Sequence, residues 1–322
     1  MASRGATRLL RGRSPRRAAR PARPERRVDR SAARVIHELA HERTTLHGHF
    51  SRDLAPVATI EPGDSVVFSC PNAGWRVAGG EPFEPRDEQL DAGHALIGPI
   101  DVRGAERGGT LVVRIDEVRP GTFGETFARD TRIEWTIDAD TGSATDDRGA
   151  TVQIAPFLGV IGMPPDEDGV HSTGPPRRFG GNIDCKELVA GTTLYLPISL
   201  DGARVSAGDG HAAQGDGELS GTAIECFVER AQLTLDVADL ELRTPVARIA
   251  EAWVAFGFDE DLDLAAEQAI GTMLDLMERE LGIDRPYAIA LGSIAVDLRV
   301  TQIVNGVKGV HAVLRDDAIR MA

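Results

Sequence analysis

Along most of this chain apolar residues come in short runs that alternate with polar ones, and glycine or proline interrupts them at close intervals. Alternation with a period of two marks strands buried on one face, because successive side chains point to opposite sides. Thr110-Leu111-Val112-Val113-Arg114-Ile115-Asp116-Glu117-Val118 is the clearest case. Ser65–Cys70, His94–Ile100, Arg132–Ile137, Val152–Gly162, Thr192–Pro197 and Ile224–Leu235 also read as strands, and Thr44–Phe50 as a strand ending in a polar turn at Ser51-Arg52-Asp53. Residues 71–93 and the rest of 119–150 read as loop. Short strands between turn signals suggest a sandwich or a barrel. The period changes once. Leu262, Ala265, Ala266, Ala269, Ile270, Met273, Leu274, Met277 and Leu281 recur at helical spacing, with Asp261 as cap and Gly282 as terminator. Pro286 opens a second short helix, and Val296–Val304 with Gly309–Leu314 read as a closing pair of strands.

Composition agrees with a loop-rich β protein: 35 glycines and only 5% aromatic residues in 322. No run approaches the roughly eighteen apolar residues a membrane helix needs, so no membrane partner is expected. Charge divides the chain. Residues 1–34 hold twelve Arg against Glu25 and Asp29 and too few large aliphatics to form a core, so a disordered extension is expected. The formal net charge is nevertheless −14, so the body is strongly acidic and unsuited to nucleic acid. Cys70, Cys185 and Cys226 are odd in number and lack CxxC spacing, which favours a reducing cytoplasm over a disulfide framework. The pattern divides the chain into the extension 1–34, an N-terminal β-rich domain 35–150, a β-rich domain 151–240 carrying polar loops, and an α+β portion 241–322.

Three polar stretches carry candidate chemistry. Gly208-Asp209-Gly210-His211-Ala212-Ala213-Gln214-Gly215-Asp216-Gly217-Glu218 holds four glycines, three carboxylates, an imidazole and a carboxamide. It reads as a loop between strands rather than as core. The bland alternative is a solvated acidic turn. His47 and His49 share a face if extended, with Asp53 past the turn, and His211, Asp184 or Asp209 can complete a ligand set for a divalent transition metal. Surface histidines explain that pattern equally well. In Gly180-Gly181-Asn182-Ile183-Asp184, Asn182 and Asp184 share a face or cap their own turn. Cys185-Lys186-Glu187 has the residue types of a Cys-Lys-Glu catalytic set, but adjacent side chains cannot converge on one atom in regular structure, so Cys185 is read as a small buried residue. His94 and His171 are read as structural or surface residues, Asp216 as a turn residue. No GxSxG, P-loop, HExxH or EF-hand spacing occurs.

Taken in order, Thr45–Asp53, His94–Ile100, Pro156–Gly162, Ser172–Pro176, Gly180–Leu188, Gly208–Glu218 and Ser293–Gln302 resemble the motifs of the acetamidase/formamidase family. Ala95 stands where that family often has Pro. The resemblance implies a mainly β fold of β-sandwich and barrel-like subdomains with a smaller α+β C-terminal portion, hydrolysis of formamide or acetamide to acid and ammonia, and a homo-oligomer. Amide hydrolysis needs an activated water, a stabilised carbonyl oxygen and a proton for the leaving amine. A divalent ion, Zn²⁺ in the first place, supplies the first two. The candidate ligands are a subset of His47, His49, Asp53, Asp184 and His211. Glu218 or Glu225 is the candidate general base and acid, and Asn182 and Gln214 the candidate donors to substrate. A competing reading is a non-catalytic β-sandwich binding protein with Ca²⁺ held by Asp209, Asp216 and Glu218.

Overall fold

Two long antiparallel strands, Thr110–Ala128 and Glu225–Ala238, run through the centre of the fold and pair over most of their length. The computed structural model describes residues 34–321; all of the Arg-rich extension except Arg34 lies outside the described residues. Leu111, Val113 and Ile115 are fully buried, as the alternation of Thr110–Val118 predicts. Ser65–Cys70 pairs with Glu225–Ala238, and Thr193–Pro197 with Thr110–Ala128. All eighteen strands among the described residues belong to one hydrogen-bonded network. The protein is mainly β, with two helices near the C-terminus.

Residues 119–128 differ from their reading as loop. The strand continues through Pro120 and Gly121 because Pro120 pairs with Val228 of Glu225–Ala238, and from Phe123 onward Thr131–Asp138 pairs along the other edge. Register shifts between Cys226, Val228 and Arg230 absorb the irregular residues. In the opposite sense, only Leu46–His47 of the stretch 44–50 is strand.

The glycine-rich stretch also departs from expectation. Its first four residues belong to the strand Val205–His211, every residue of which is buried. That strand lies between Phe157–Gly162 and Leu96–Val102, antiparallel to both, and its last two residues pair with Cys226 and Glu225. A Cβ on Gly208 would run into the carbonyl of Ala95, and one on Gly210 into Val228. Glycine here permits close packing of backbone on backbone, not the freedom of a loop.

At the C-terminus the strands Val246–Ile249, Ala252–Asp259, Lys308–Arg315 and Val296–Gln302 pair in succession. Helix α1, Leu262–Leu281, packs on them through Ala265, Ala269, Thr272, Met273, Leu276 and Met277, one face at helical spacing. Asp261 accepts from the amides of Asp263 and Leu264, and Gly282 ends the helix in the left-handed conformation. Helix α2, Arg285–Ala295, is capped by Asp284 and carries Pro286 in its first turn, where a missing amide costs nothing. The turn after Val296–Gln302 carries Asn305 to Asp184. No helix among the described residues is long and apolar enough to cross a membrane.

Candidate active site

Asp209 and His211 sit two residues apart on one face of the buried strand Val205–His211. Asp184 follows the short strand Gly180–Asn182, whose partner is Phe157–Gly162. Gly159, in that partner strand, faces all three: a Cβ there would strike Asp209 Oδ2 and lie 2.7 Å from Asp184 Oδ1 and 2.9 Å from His211 Cε1. The carboxylates and imidazole thus close over bare backbone. Asp184, Asp209 and Glu218 have φ of 50°, 62° and 47°, a left-handed conformation that side chains disfavour. Strain at three acidic residues of one cluster is the kind that a functional site holds in place.

The hydrogen bonds of Gln214 orient His211. The Gln214 amide nitrogen donates to the backbone oxygen of Asp184 (2.8 Å), so its Oε1 is free to accept from His211 Nδ1 (3.0 Å). With Nδ1 carrying a proton, Nε2 faces Asp209 Oδ1 and Glu225 Oε2, each 3.3 Å away. It must then be either protonated or directed at a cation. The Phe157 ring packs edge-on to the imidazole at 5.0 Å. Asn305 donates to Asp184 Oδ2 at 2.7 Å.

Four carboxylates surround this single imidazole, and all are buried. Burial would lower the His211 pKa, but Glu225 and Asp209 outweigh it and hold the imidazolium well above its ordinary range. Burial would raise Asp209, yet His211 and then His94 bring it down to about 2. Burial and the charge of Glu218 raise Asp184 well above a normal carboxylate. Burial pushes Glu218 up to about 7. Asn182 Oδ1, Asp184 Oδ1 and Glu218 Oε2 have no hydrogen-bond partner, and Asp209 Oδ1 and Glu225 Oε2 meet only His211 Nε2, at 3.3 Å. Unsatisfied buried acceptors are costly, and several converging on one cleft call for a cation or a polar ligand. The ligand atoms of Asp184, Asp209 and His211 lie within 4.8 Å of one another.

Of the residues singled out in the sequence, Asn182, Asp184, His211, Glu218 and Glu225 all line one cleft of about 630 Å³. Gln214 stands behind His211 and Asp184 and holds them in position. His47, His49 and Asp53 lie apart from the cleft lining. His47 is buried with Nδ1 2.6 Å from the carbonyl of His49 and Nε2 2.9 Å from Ser206 Oγ. His49 Nδ1 meets the carbonyl of Leu90 at 2.7 Å, and Asp53 is exposed. Their shared face required an extended segment, and the strand ends at His47. Asp209, Asn305, Glu125 and His94 complete the cleft. Asp209, one of the alternative ligands in the sequence reading, shares a strand face with His211 through the same two-residue spacing as the histidine pair. For Asn305, 121 residues from Asp184, no local signal existed.

A family model described as the Acetamidase/Formamidase family matches residues 35–172 and 167–244. An acetamidase of Mycolicibacterium smegmatis is 24% identical over 54% of this chain and 61% of its own length. A formamidase of Methylophilus methylotrophus is 26% identical over 54% of this chain and 60% of its own. The chain therefore spans about three fifths of these two relatives. The crystal structure of an acetamidase from Bacillus halodurans is 27% identical, covers 86% of this chain and 97% of its own, and superposes with a TM-score of 0.76.

Proposed function

Because the chain belongs to the acetamidase/formamidase family, we propose that it hydrolyses a short carboxylic amide, formamide or acetamide, to the acid and ammonia. The reaction is assigned to the cleft of Asn182, Asp184, Asp209, His211, Glu218 and Glu225. The observation that carries this reading is the convergence of unpartnered carboxylate oxygens on one buried imidazole.

Asp184, Asp209 and His211 suit a divalent cation: two carboxylates and one imidazole whose Nε2 is aimed between acidic groups. Mixed nitrogen and oxygen donors favour zinc among the common ions. Such an ion supplies a stabilising charge for the amide oxygen and lowers the pKa of water. The chain's own groups do the rest. Asn182, buried with its Oδ1 unpartnered, orients the substrate amide. Glu218, whose Oε2 is unpartnered in the cleft, takes the proton of the attacking water and returns it to the leaving nitrogen. Glu225, with Oε1 fixed by the amide of Ala223 at 2.9 Å, keeps its other oxygen against His211.

The calcium-binding alternative is not supported. Asp216 pairs with Lys186 at 2.9 Å and does not join Asp209 and Glu218 in the cleft, and an imidazole at the centre is a poor calcium ligand. The exposed apolar side chains Ile289 and Ile294 of α2 support a homo-oligomer, and three free, buried cysteines support a reducing cytoplasm.

Ammonia release from formamide and acetamide, measured before chelation, after it and after zinc is restored, tests the proposal. Turnover that falls with chelation and disappears in His211→Ala is expected. If no short amide is turned over by the zinc-restored protein, the amidase reading is wrong.

A further inference from the structure

A second group of ligand-type side chains lies outside the cleft lining. Cys185 and Glu187 sit in the turn after Asp184, closed by the amide of Leu188 on the carbonyl of Cys185 at 3.0 Å. In that turn Lys186 leaves for Asp216, while Cys185 Sγ and Glu187 Oε2 approach to 3.1 Å. His311, on the strand Lys308–Arg315, presents Nε2 to the same Glu187 oxygen at 3.8 Å. The three donor atoms lie within 4.8 Å of one another. Cys185 and His311 are both 0% exposed, and His311 Nε2 has no hydrogen-bond partner.

From these observations we propose that Cys185, Glu187 and His311 hold a zinc ion, separate from any ion in the cleft. A tetrahedral zinc with bonds of about 2.0–2.3 Å sets its donors about 3.3–3.5 Å apart. The observed separations of 3.1 and 3.8 Å lie on either side of that spacing and need only small adjustments. Outer contacts complete the pattern. His311 Nδ1 is 2.8 Å from Thr301 Oγ1, which fixes the ring and leaves Nε2 for the ion. Arg299 holds the other oxygen of Glu187 at 3.0 Å. A thiolate, a carboxylate and a neutral imidazole balance a divalent charge. Sulfur and nitrogen donors select zinc over calcium or magnesium. On binding, the Cys185 S–H bond breaks, its proton passes to solvent, and the sulfur–zinc bond replaces the thiol–carboxylate hydrogen bond. The ion ties the turn that carries Asp184 to the C-terminal hairpin that supplies Asn305. It stands whether or not the cleft hydrolyses amides.

Cobalt(II) is the probe, because a thiolate bound to cobalt gives a charge-transfer absorption in the near ultraviolet that oxygen and nitrogen donors do not. The full chain, stripped with a chelator and titrated with Co²⁺, is expected to develop this band, to keep it in Cys226→Ser and to lose it in Cys185→Ser. Zinc is expected to displace the cobalt and abolish the band. No band in the unsubstituted protein overturns the site without recourse to any variant. A band that persists in Cys185→Ser overturns it as well.

Discussion

Replacing Gly159 by Ala puts one methyl group under the proposed reacting centre. The backbone of Gly159 is not left-handed, so alanine brings no conformational penalty of its own. The methyl would lie 2.7 Å from Asp184 Oδ1 and 2.9 Å from His211 Cε1, and closer still to Asp209 Oδ2, where ordinary contact begins at 3.4 Å. Asp184 must therefore retreat by about 0.7 Å and His211 by about 0.5 Å, in different directions. Overpacking of this size costs about 1–3 kcal/mol of stability, which a domain of ordinary stability survives. The effect on rate is larger. Catalytic groups tolerate displacements of about 0.5 Å, and a misplacement near 1 Å costs about 100-fold. The expected outcome is a folded protein whose kcat/KM for a short amide falls about 100-fold, or about 2.7 kcal/mol of barrier. Ammonia release and thermal unfolding are measured together. Gly215→Ala, with nothing within 4 Å of the added methyl, is the matched control and stays near the unsubstituted rate. A folded Gly159→Ala enzyme within threefold of that control refutes the placement of the reaction at Asp184, Asp209 and His211.

Two further expectations concern stability. Asp261→Ala removes the acceptor for the amides of Asp263 and Leu264 and lowers unfolding stability by about 1 kcal/mol, read from the urea midpoint; an unchanged midpoint contradicts the capping role. His47 is buried, and burial takes its pKa down to about 4, against about 6.5 in the unfolded chain. The unfolded state binds the extra proton between those values, so this contribution is complete above about pH 6.5 and is lost as the pH falls toward 4. The difference amounts to about 3 kcal/mol, and His47→Gln is expected to unfold with a correspondingly shallower dependence on pH. Equal slopes for the two proteins rule the account out.

What could be read from the sequence was what local chemistry decides. The cap at Asp261 and the stop at Gly282 are set within one helix, and the structure has both; the apolar face keeps Ala265, Ala269, Met273 and Met277 but adds Thr272 and Leu276 and leaves Leu262 and Ile270 exposed, because the sheet beneath decides which flank is covered. Ser65–Cys70 is a strand over the residues its apolar run and flanking turn signals mark. The second half of Thr110–Ala128 was not legible, because Pro120 and Gly121 signal a turn and only pairing with Glu225–Ala238 at Pro120 and with Thr131–Asp138 from Phe123 keeps the chain extended. The same division runs through the site. Asn182, Asp184, His211 and Glu218 stand out as polar residues in glycine-rich stretches, and Glu225 as a carboxylate at the start of the strand that follows. Glu125, His94 and Asn305 reach the cleft through tertiary placement, whereas His47 and His49 lie outside its lining, since an HxH pattern does not reveal where a strand stops.

The burial of Val205–His211 has a consequence for how this protein fails. Two of the proposed ligands ride on a strand enclosed by neighbours on both edges, and a third hangs from a strand paired into the same network. Segments of this kind open only when the whole molecule opens, whereas a site on surface loops can fray alone. Heat or denaturant should then extinguish activity and structure in one transition, with no window in which an intact body carries a loosened centre. Integrity of the reacting groups becomes a property of the entire sheet, and a distant lesion in that sheet reaches them as a change in the folded population.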